Sequence, residues 1–579
     1  MSNAELARRL DQLADLSEID GDNPFRVRAH RNAARRLREL EEQITDLLDH
    51  GADLTEIEGI GKEIAEKLRD MVRTGRLKQL DELAERVPIG LTEVVRVKGV
   101  GPKHARTLWQ EVGVTDVDEL EKAAKDGKLA GLPGFGAKTQ ENVLKGIDAY
   151  RRNTGRALLG EIDAVIAPLI ERLRNAKGVS RVEVAGSYRR RRETVGDVDL
   201  LAIAASPEDV TKAFTSYGEV DDVLGSGDTR SSVRLASGLQ VDLRVVPEEA
   251  FGAALMYFTG SKDHNVALRQ RAIDRGLRLN EYGLFEGTED DPHAKRVAGV
   301  SEEEIYQRLG LAWVPPELRE DRGEIAAAAE GRLPELLTQD DLRGDLHMHS
   351  TWSDGKNTLS EMIAACVERG YAYMAITDHS KALAMTGGMD EAKLARQWEE
   401  LDELTADRND ITVLRGMEVD ILKDGSLDLS DDWLARLDIV LVSVHSHFGL
   451  SRADQTARVV KAVSHPMVNV LAHPTARMLG ERDPIDLDLG EVFDACLANQ
   501  VAVEHNASVP RLDLSDTHLI AARKRGLVVS MGTDAHAVKQ LDAMRFGVDQ
   551  ARRAWLGKDD VLNTRPLAEV RRFLTKGEG

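Results

Sequence analysis

The carboxy-terminal part of the chain repeats short apolar runs that are often followed by histidine or a carboxylate, and this repeat restricts the possible folds most. Seven strand candidates occur from Gly344 onward, most of them separated by helix-like stretches, at 345–347, 371–376, 411–414, 438–444, 468–472, 500–503 and 527–531. Alternating buried strands and helices are typical of parallel α/β domains. We therefore predict a barrel-like domain in this region.

Ten of the fifteen histidines lie in this region, many at the ends of predicted strands. The carboxyl ends of parallel barrel strands converge on one pocket, so these side chains are expected to meet. The candidate metal ligands are His347, His349, Asp354, His379, Glu418, His445, His473, Asp534 and His536. They are enough for up to three divalent ions with Glu418 bridging, and nitrogen and oxygen ligands suit Zn²⁺, Mn²⁺ or Fe²⁺. Such a site attracts phosphate and activates water, which predicts phosphoester hydrolysis.

The first 150 residues are typical of short amphipathic helices separated by glycine turns. A Gly-x-Gly turn between an apolar stretch and a helix occurs three times, with the glycines Gly59 and Gly61, Gly99 and Gly101, and Gly134 and Gly136. This is the helix-hairpin-helix pattern, in which free backbone N–H groups at a helix start can meet a phosphate. One copy would more often be a plain helix connection. Three copies predict binding to the DNA backbone without base reading.

Arginines recur in the amino-terminal region at Arg28, Arg31, Arg35 and Arg38, a spacing that puts them on one helical face. Two interpretations remain open for this face. It is either a solvated surface or a grip on a downstream 5′-phosphate.

Residues 155–245 change to a strand pattern that contains a candidate nucleotidyl-transfer centre. Asp197 and Asp199 are two residues apart on a predicted strand, so both carboxylates point to one face, and Asp242 can join them from a neighbouring strand. Three convergent carboxylates can hold two Mg²⁺ ions, as in-line phosphoryl displacement requires. Gly186, Ser187 and Arg190 offer backbone donors and a cation for the leaving pyrophosphate.

With these motifs, residues 1–320 resemble a family X DNA polymerase, the group of polymerase beta. The resemblance includes the GS…GDVD block and YFTGS at 257–261. It implies that Tyr257, Phe258 and Gly260 contact the sugar and base of the incoming nucleotide, and that Asn265 and Arg269 face the minor groove. Lys262 departs from the acidic residue of polymerase beta. Lys67 aligns with the Schiff-base lysine for deoxyribose-phosphate removal, and a simple phosphate contact is the alternative.

Residues 341–579 resemble a PHP domain, whose usual fold is a distorted (β/α)₇ barrel, and all nine ligand positions of that family match. His447 and His505 lie outside the pattern. Fused to a family X polymerase, the domain implies a Mn²⁺-dependent 3′–5′ exonuclease that also has abasic or 3′-blocked ends as candidate substrates. The combined resemblance implies Mg²⁺ or Mn²⁺ at the polymerase site, gapped or primed double-stranded DNA and dNTPs as partners, and a monovalent cation as a candidate ligand of the hairpins.

The fold class expected is multidomain, α+β and α/β, with helical helix-hairpin-helix domains, a mixed-sheet palm and the barrel. The expected segments are an amino-terminal helical domain at 1–85, a second hairpin subdomain at 86–152, the palm at 153–248, a nucleotide-selection subdomain at 249–320, a polar linker at 321–341 and the PHP domain at 342–579. The net charge of −22 argues only weakly against DNA, because a modular enzyme can focus positive charge in its grooves. Two cysteines and the absence of a long apolar run predict a cytoplasmic protein without a membrane partner, and we expect a monomer.

Three alternatives remain open at this point. The PHP unit could be the only active centre, with the front half as a DNA-binding scaffold. It could instead be a structural domain that only stabilises the polymerase. A nucleotidyltransferase acting on RNA ends or small molecules could share the GS…DxD block, but it would not explain three DNA-gripping hairpins together with YFTGS.

Overall fold

The computed structural model describes the chain except for residues 2, 41–43, 50, 58, 98, 130, 133–139, 141, 148–149, 151–154, 288–294, 384–385 and 577–579. The chain divides into two compact units, Met1–Gly155 and Arg156–Gly579. Within the described residues, no helix combines the length and the apolar character that crossing a membrane requires.

The first unit is helical around one apolar core, which includes Leu10, Leu37 and Leu68. Asn23 caps the second helix by accepting from the Phe25 N–H, and Pro24 occupies its first turn, where no backbone donor is needed. Its α-helices are Asn3–Asp20, Pro24–Glu39, Ile44–Asp49, Lys62–Thr74, Lys78–Ala84, Leu91–Val94, Pro102–Thr107 and Val117–Lys125. A short π-helical stretch, Leu108–Val112, continues the seventh of these.

The second unit begins with the palm, which contains a small strand pair and a mixed five-stranded sheet. The small pair joins β1 (Ala157–Leu158) to β3 (Thr194–Val195). The strands of the larger sheet are β2 (Val179–Val184), β4 (Asp197–Ala204), β5 (Val220–Ser226), β6 (Arg230–Leu235) and β7 (Gln240–Val245), and their order is β2-β4-β7-β6-β5. Strands β4 and β7 are parallel neighbours, whereas the other pairs are antiparallel. The palm helices are Leu159–Arg174, Gly186–Arg189 and Pro207–Thr215.

The segment after the palm combines helices with a three-stranded antiparallel sheet. The strands are β8 (Leu277–Asn280), β9 (Gly283–Glu286) and β10 (Lys295–Ala298), in the order β10-β9-β8. The helices are Phe251–Thr259, Lys262–Ile273 and Glu302–Arg308. The region expected to be a polar linker packs closely instead. Glu324 is fully buried beside His264, and Leu337 joins the barrel core, because apolar residues interrupt the charged sequence.

The carboxy-terminal domain is built on seven parallel strands in sequential order, which confirms the predicted barrel-like fold. The strands are β11 (Gly344–Asp345), β12 (Tyr373–Ile376), β13 (Thr412–Asp420), β14 (Ile439–Ser443), β15 (Val470–Leu471), β16 (Ala502–Asn506) and β17 (Val529–Gly532). A parallel bridge between Met348 and Ala535 brings the first and last strand ends together. The seven carboxyl ends therefore face one nearly closed rim.

Helices accompany the barrel strands, as the alternating pattern predicts. The remaining helices of this unit are Glu324–Ala329, Leu359–Glu368, Glu391–Thr405, Asp431–Leu434, Arg452–Val463, Leu489–Ala498, Asp516–Lys524, Met544–Arg553 and Leu567–Leu574. Strand residues such as Val442 and Val503 pack under these helices in the main core of the domain.

Candidate metal centres

The three palm aspartates lie on the two parallel strands β4 and β7. Asp199 is directly opposite Asp242 in the strand register, and Asp197 lies two residues earlier on β4. Asp242 is buried and accepts a hydrogen bond from the Ser232 hydroxyl, whereas Asp197 is exposed. The structure thus places all three carboxylates on neighbouring strands, with the opening toward solvent at Asp197.

Electrostatic repulsion between these aspartates is strong at Asp199. Burial, followed by the negative charges of Asp197 and Asp242, raises the pKa of Asp199 to about 6. Carboxylate oxygens are the ligands that Mg²⁺ prefers, and a divalent cation beside them would offset both effects. The donor set therefore fits a hard divalent ion.

Residues 186–192, the short helix Gly186–Arg189 and the turn that follows it, approach this triad. We call this segment the nucleotide turn. Gly186 has a φ of +64°, and a β-carbon at this position would lie 2.8 Å from Oδ2 of Asp199. Both facts favour glycine there. Arg190 is buried rather than open to the triad: its Nε donates to Glu320 at 3.0 Å, and another guanidinium nitrogen donates to the Thr259 carbonyl at 2.8 Å.

The candidate nucleotide contacts cluster around the end of the helix Phe251–Thr259. The side-chain amide of Asn265 donates to the Tyr257 carbonyl at 2.6 Å, and a β-carbon at Gly260 would lie 2.4 Å from Oδ1 of Asn265. The rings of Tyr257 and Phe258 meet edge to face with centroids 5.2 Å apart. Arg269 is exposed. The structure brings four of these five residues together and leaves Arg269 pointing to solvent.

Two of the three hairpins lie within the described residues. Gly59 and Gly99 have φ angles of +83° and +91°, which glycine adopts without strain. Each Gly-x-Gly turn leads directly into a helix, which begins at Lys62 in the first hairpin and at Pro102 in the second. The space in front of both turns is open. Gly134 and Gly136 of the third hairpin lie outside the described residues.

The arginine face of the first unit is exposed at Arg28, Arg31 and Arg35, and the side chain of Arg38 lies outside the described part. Arg31 forms ion pairs with Asp15 and Glu18 at 3.1 and 2.5 Å. Lys67 is mostly buried and forms an ion pair with Glu63. The structure thus gives Arg31 and Lys67 partners within the protein.

The nine histidines and carboxylates of the barrel come together at its carboxyl rim. Each belongs to at least one of four groups whose ligand atoms lie within 4.8 Å of one another: His349, Asp354, His379 and His536; His347, His349 and Asp534; His347, Glu418 and His473; and His379, Glu418 and His445. Among the described residues, these are the groups of ligand type that meet this distance, and the palm triad is more widely spaced. Glu418 belongs to two groups, as a bridging carboxylate would.

The two oxygens of Glu418 differ in a way that points to a metal. Oε1 lies 2.7 Å from Nε2 of His473, whereas the buried Oε2 has no hydrogen-bond partner. Oε2 lies 3.0 Å from Nδ1 of His379, but outside hydrogen-bonding geometry. A buried, unpaired carboxylate oxygen is unfavourable in a protein interior, so this atom fits a metal ligand.

The charge distribution of the cluster also favours cations. Burial alone would raise the pKa of Glu418, but the imidazoles of His445, His379 and His347 hold it well below its ordinary value. At His349, burial and the neighbouring imidazoles lower the pKa to about 3. The carboxylate is therefore ionised and one central imidazole neutral, which are the states that bind metals.

Sequence reasoning missed a layer of residues that hold the ligands. Glu504 accepts a hydrogen bond from Nδ1 of His347 at 2.6 Å, and Asp420 lies 2.9 Å from Nδ1 of His445. Arg511 lies 3.1 Å from Asp534. A glutamate directly after the apolar run 501–503 is the sequence signal that points to Glu504. His505, on the opposite face of that strand, makes contacts with the Leu514 and Gly547 carbonyls instead of the cluster.

Replacing Glu504 tests the importance of this supporting layer. We expect Glu504→Gln to weaken binding of Mn²⁺ to the barrel about 10- to 100-fold, because a carboxylate on the second ring nitrogen orients a ligating histidine and makes it more basic. Calorimetric Mn²⁺ titration of the chelator-stripped protein measures this. Glu491→Gln, on an exposed helix of the same domain, is the control, and equal affinities of the two variants would contradict the role of Glu504.

Comparisons with known proteins agree with this arrangement. Four family descriptions match: "Helix-hairpin-helix domain" over residues 1–77, "SAM-like Helix-hairpin-helix tandem" over 91–148, "DNA polymerase beta thumb" over 254–320 and "PHP domain" over 345–489. DNA polymerase lambda of Rattus norvegicus is 24% identical over 342 residues, covering 55% of this chain and 56% of its own. A probable phosphatase of Syntrophotalea carbinolica is 25% identical over 229 residues, covering 38% of this chain and 90% of its own.

One relative spans the full length of the chain. The DNA polymerase/3′-5′ exonuclease PolX of Bacillus subtilis (strain 168) is 36% identical over 580 residues, which cover 100% of both chains. The two helix-hairpin-helix matches contain the hairpins, the thumb match begins after the palm strands, and the PHP match begins at the first barrel strand. This chain therefore belongs to the PolX family, the family X DNA polymerases that carry a carboxy-terminal PHP domain.

Proposed function

We propose that this protein is a DNA-directed DNA polymerase that fills short gaps during DNA repair and trims 3′ ends with its PHP domain. The observation that carries the proposal is the presence of two separate ligand sets in one chain, the aspartates of β4 and β7 and the nine side chains at the barrel rim. The two activities in the name of the Bacillus relative, polymerase and 3′-5′ exonuclease, agree with it.

For synthesis, Asp197, Asp199 and Asp242 would hold Mg²⁺ or Mn²⁺, which supplies charge neutralisation and a more acidic primer 3′-hydroxyl. The nucleotide turn would present backbone N–H groups and Ser187 to the triphosphate. Tyr257, Phe258 and Gly260 would contact the sugar and base, while Asn265 and Arg269 would face the minor groove of the new pair. Gly260 supports this role because only glycine leaves room for the Asn265 amide oxygen.

For degradation, the nine rim residues would hold up to three divalent ions. We propose Mn²⁺ for these sites, with Zn²⁺ and Fe²⁺ as the alternatives. Bound there, the ions supply a nucleophilic water and draw phosphate into the pocket. The chain itself contributes the placement: Glu504 and Asp420 fix two imidazoles, and Asp534 is held by Arg511 and Asn506. Cleavage of abasic or 3′-blocked ends is a further proposed activity of the same pocket.

The DNA partner would be gapped or primed double-stranded DNA, held by the three hairpins and by the exposed arginine face. A monovalent cation is a candidate ligand of the hairpins. Lys67 has two candidate roles: Schiff-base chemistry in deoxyribose-phosphate removal, or a simple contact to a DNA phosphate. The monomeric state, the cytoplasmic location and the bounds of the six segments stay predictions.

A single substrate tests the proposal. The full chain is incubated with a 5′-labelled primer on a duplex with a one-nucleotide gap, with Mg²⁺ or Mn²⁺. With the complementary dNTP we expect a product one nucleotide longer, and without dNTPs we expect progressive shortening from the 3′ end. A primer that stays unchanged in length under both conditions would refute the assignment.

A further inference from the structure

The helix Met544–Arg553 of the PHP domain, which we call the bridging helix, has two buried faces. Met544, Val548 and Ala551 pack into the core of the barrel. Phe546 packs into the core of the palm instead. Helical spacing thus lets one element belong to both domains, so that the barrel carries this helix onto the palm.

Three polar residues of the bridging helix hold the nucleotide turn. The Gln550 amide donates to the Arg191 carbonyl at 2.7 Å, and the Arg553 guanidinium donates to the Arg190 carbonyl at 2.7 Å. Asp549 accepts from the Arg191 side chain, also at 2.7 Å. Gln550 and Arg553 are 1% and 2% exposed, so water competes little for these bonds.

The backbone of the nucleotide turn needs such support. Arg191 has a φ of +56°, in the left-handed region that residues other than glycine adopt with strain and keep only when their surroundings stabilise it. Both carbonyls around this strained position, those of Arg190 and Arg191, accept hydrogen bonds from the bridging helix. The strained end of the turn is therefore fixed from the PHP domain.

Charge contacts extend the same connection to Arg190. The Arg553 guanidinium also donates to Glu320 at 3.0 Å, the carboxylate that accepts from Arg190. Arg553 further pairs with Asp516 of the barrel at 2.7 Å, and so it is anchored on its own domain. One PHP arginine thus contacts both the backbone of Arg190 and the side-chain partner of Arg190.

We propose that the bridging helix of the PHP domain is a positioning element for nucleotide binding in the palm, with Asp549, Gln550 and Arg553 fixing the nucleotide turn. The inference rests on the proposed polymerase function and deepens it. These residues do not touch substrate; they act through Arg190 and Arg191. The PHP domain would then support synthesis by a route that needs none of its own metal ligands.

The test uses the full chain with Asp549→Asn/Gln550→Met. These changes keep side-chain size and leave Arg553 in place; Oε1 of Gln550 has no hydrogen-bond partner to lose. With the complementary dNTP on the one-nucleotide-gapped duplex, we expect kcat/KM to fall about tenfold, mainly through KM, since one or two hydrogen bonds that order a binding loop are lost. Amide hydrogen exchange in residues 187–192 should become faster.

Arg552→Gln is the matched control, because Arg552 lies on the same helix and contacts Glu317 and the Leu337 carbonyl rather than the turn. It should leave both readouts at wild-type values, and the double variant should keep the wild-type exonuclease rate, although the lost contacts lower its Tm slightly. Unchanged exchange, or faster exchange with unchanged KM, overturns the proposal, as does a parallel fall in exonuclease rate. A wild-type protein that extends no primer would instead refute the polymerase assignment, and with it the effect on nucleotide binding. In that case, amide hydrogen exchange in residues 187–192 would still decide whether the bridging helix holds the nucleotide turn.

Discussion

Replacing both Asp197 and Asp199 by alanine is expected to abolish primer extension, by about a thousandfold or more, while 3′ degradation continues at the wild-type rate. The variant lacks two of the three carboxylates that would hold the divalent cations, and neutralisation of phosphate charge by such cations dominates phosphoryl transfer. The relevant measurement is single-nucleotide insertion into the gapped duplex under single-turnover conditions, with exonuclease rate measured on the same preparation.

Folding is not expected to suffer in this variant. Asp197 is exposed, and the variant no longer has the burial of charge and the repulsion between carboxylates that raise the pKa of Asp199 to about 6. Asp222→Ala/Asp221→Ala, on the exposed edge strand β5, is the matched control for loss of two aspartates from the same sheet and should retain extension. Extension by the palm variant at more than a tenth of the wild-type rate would contradict the roles given to the two residues.

The converse result, loss of degradation with extension retained, is expected when barrel ligands are removed. His347→Ala/His349→Ala is expected to abolish 3′ degradation and to leave gap filling intact, because these two imidazoles belong to three of the four close ligand groups. Loss of ligands from a shared cluster removes more than one ion, so we expect a fall of about a thousandfold in exonuclease rate. Degradation of a 5′-labelled primer in Mn²⁺, without dNTPs, measures this directly.

A suitable control for this variant is His465→Ala. His465 is a partly exposed histidine of the same domain that pairs with Asp431. It should degrade primers normally. Degradation that persists in the His347/His349 variant would show that the nuclease activity arises elsewhere, and it would revive the interpretation of the PHP unit as a structural domain.

Much of the fold could be predicted from the sequence because its periodic signals are strong. The seven barrel strands follow from apolar runs separated by helical stretches, and β13 is simply longer than expected, reaching Asp420. Strand β5 has no clear sequence signal, since Val220–Ser226 contains two aspartates and a glycine and forms an exposed edge. The packing of the segment near Glu324 and Leu337 could not be predicted, because it depends on partners distant in sequence, such as His264 and the barrel core.

The candidate sites show the same division between local pattern and long-range contact. The spacing of Asp197 and Asp199 and the strand-end histidines are local signals; the structure gathers the histidines at the rim and places the aspartates on neighbouring strands. The burial of Arg190 against Glu320 could not be predicted, because the two are 130 residues apart. The support from Gln550 and Arg553 lies even farther along the chain, in another domain.

One chain would thus contain two separate catalytic metal centres, one that extends a primer and one that degrades it. The most direct test measures both rates on one labelled gapped duplex for the wild type, the Asp197/Asp199 variant and the His347/His349 variant. We expect opposite losses: extension without degradation in the histidine variant, and degradation without extension in the aspartate variant. Loss of both activities in both variants, with each protein folded, would contradict it.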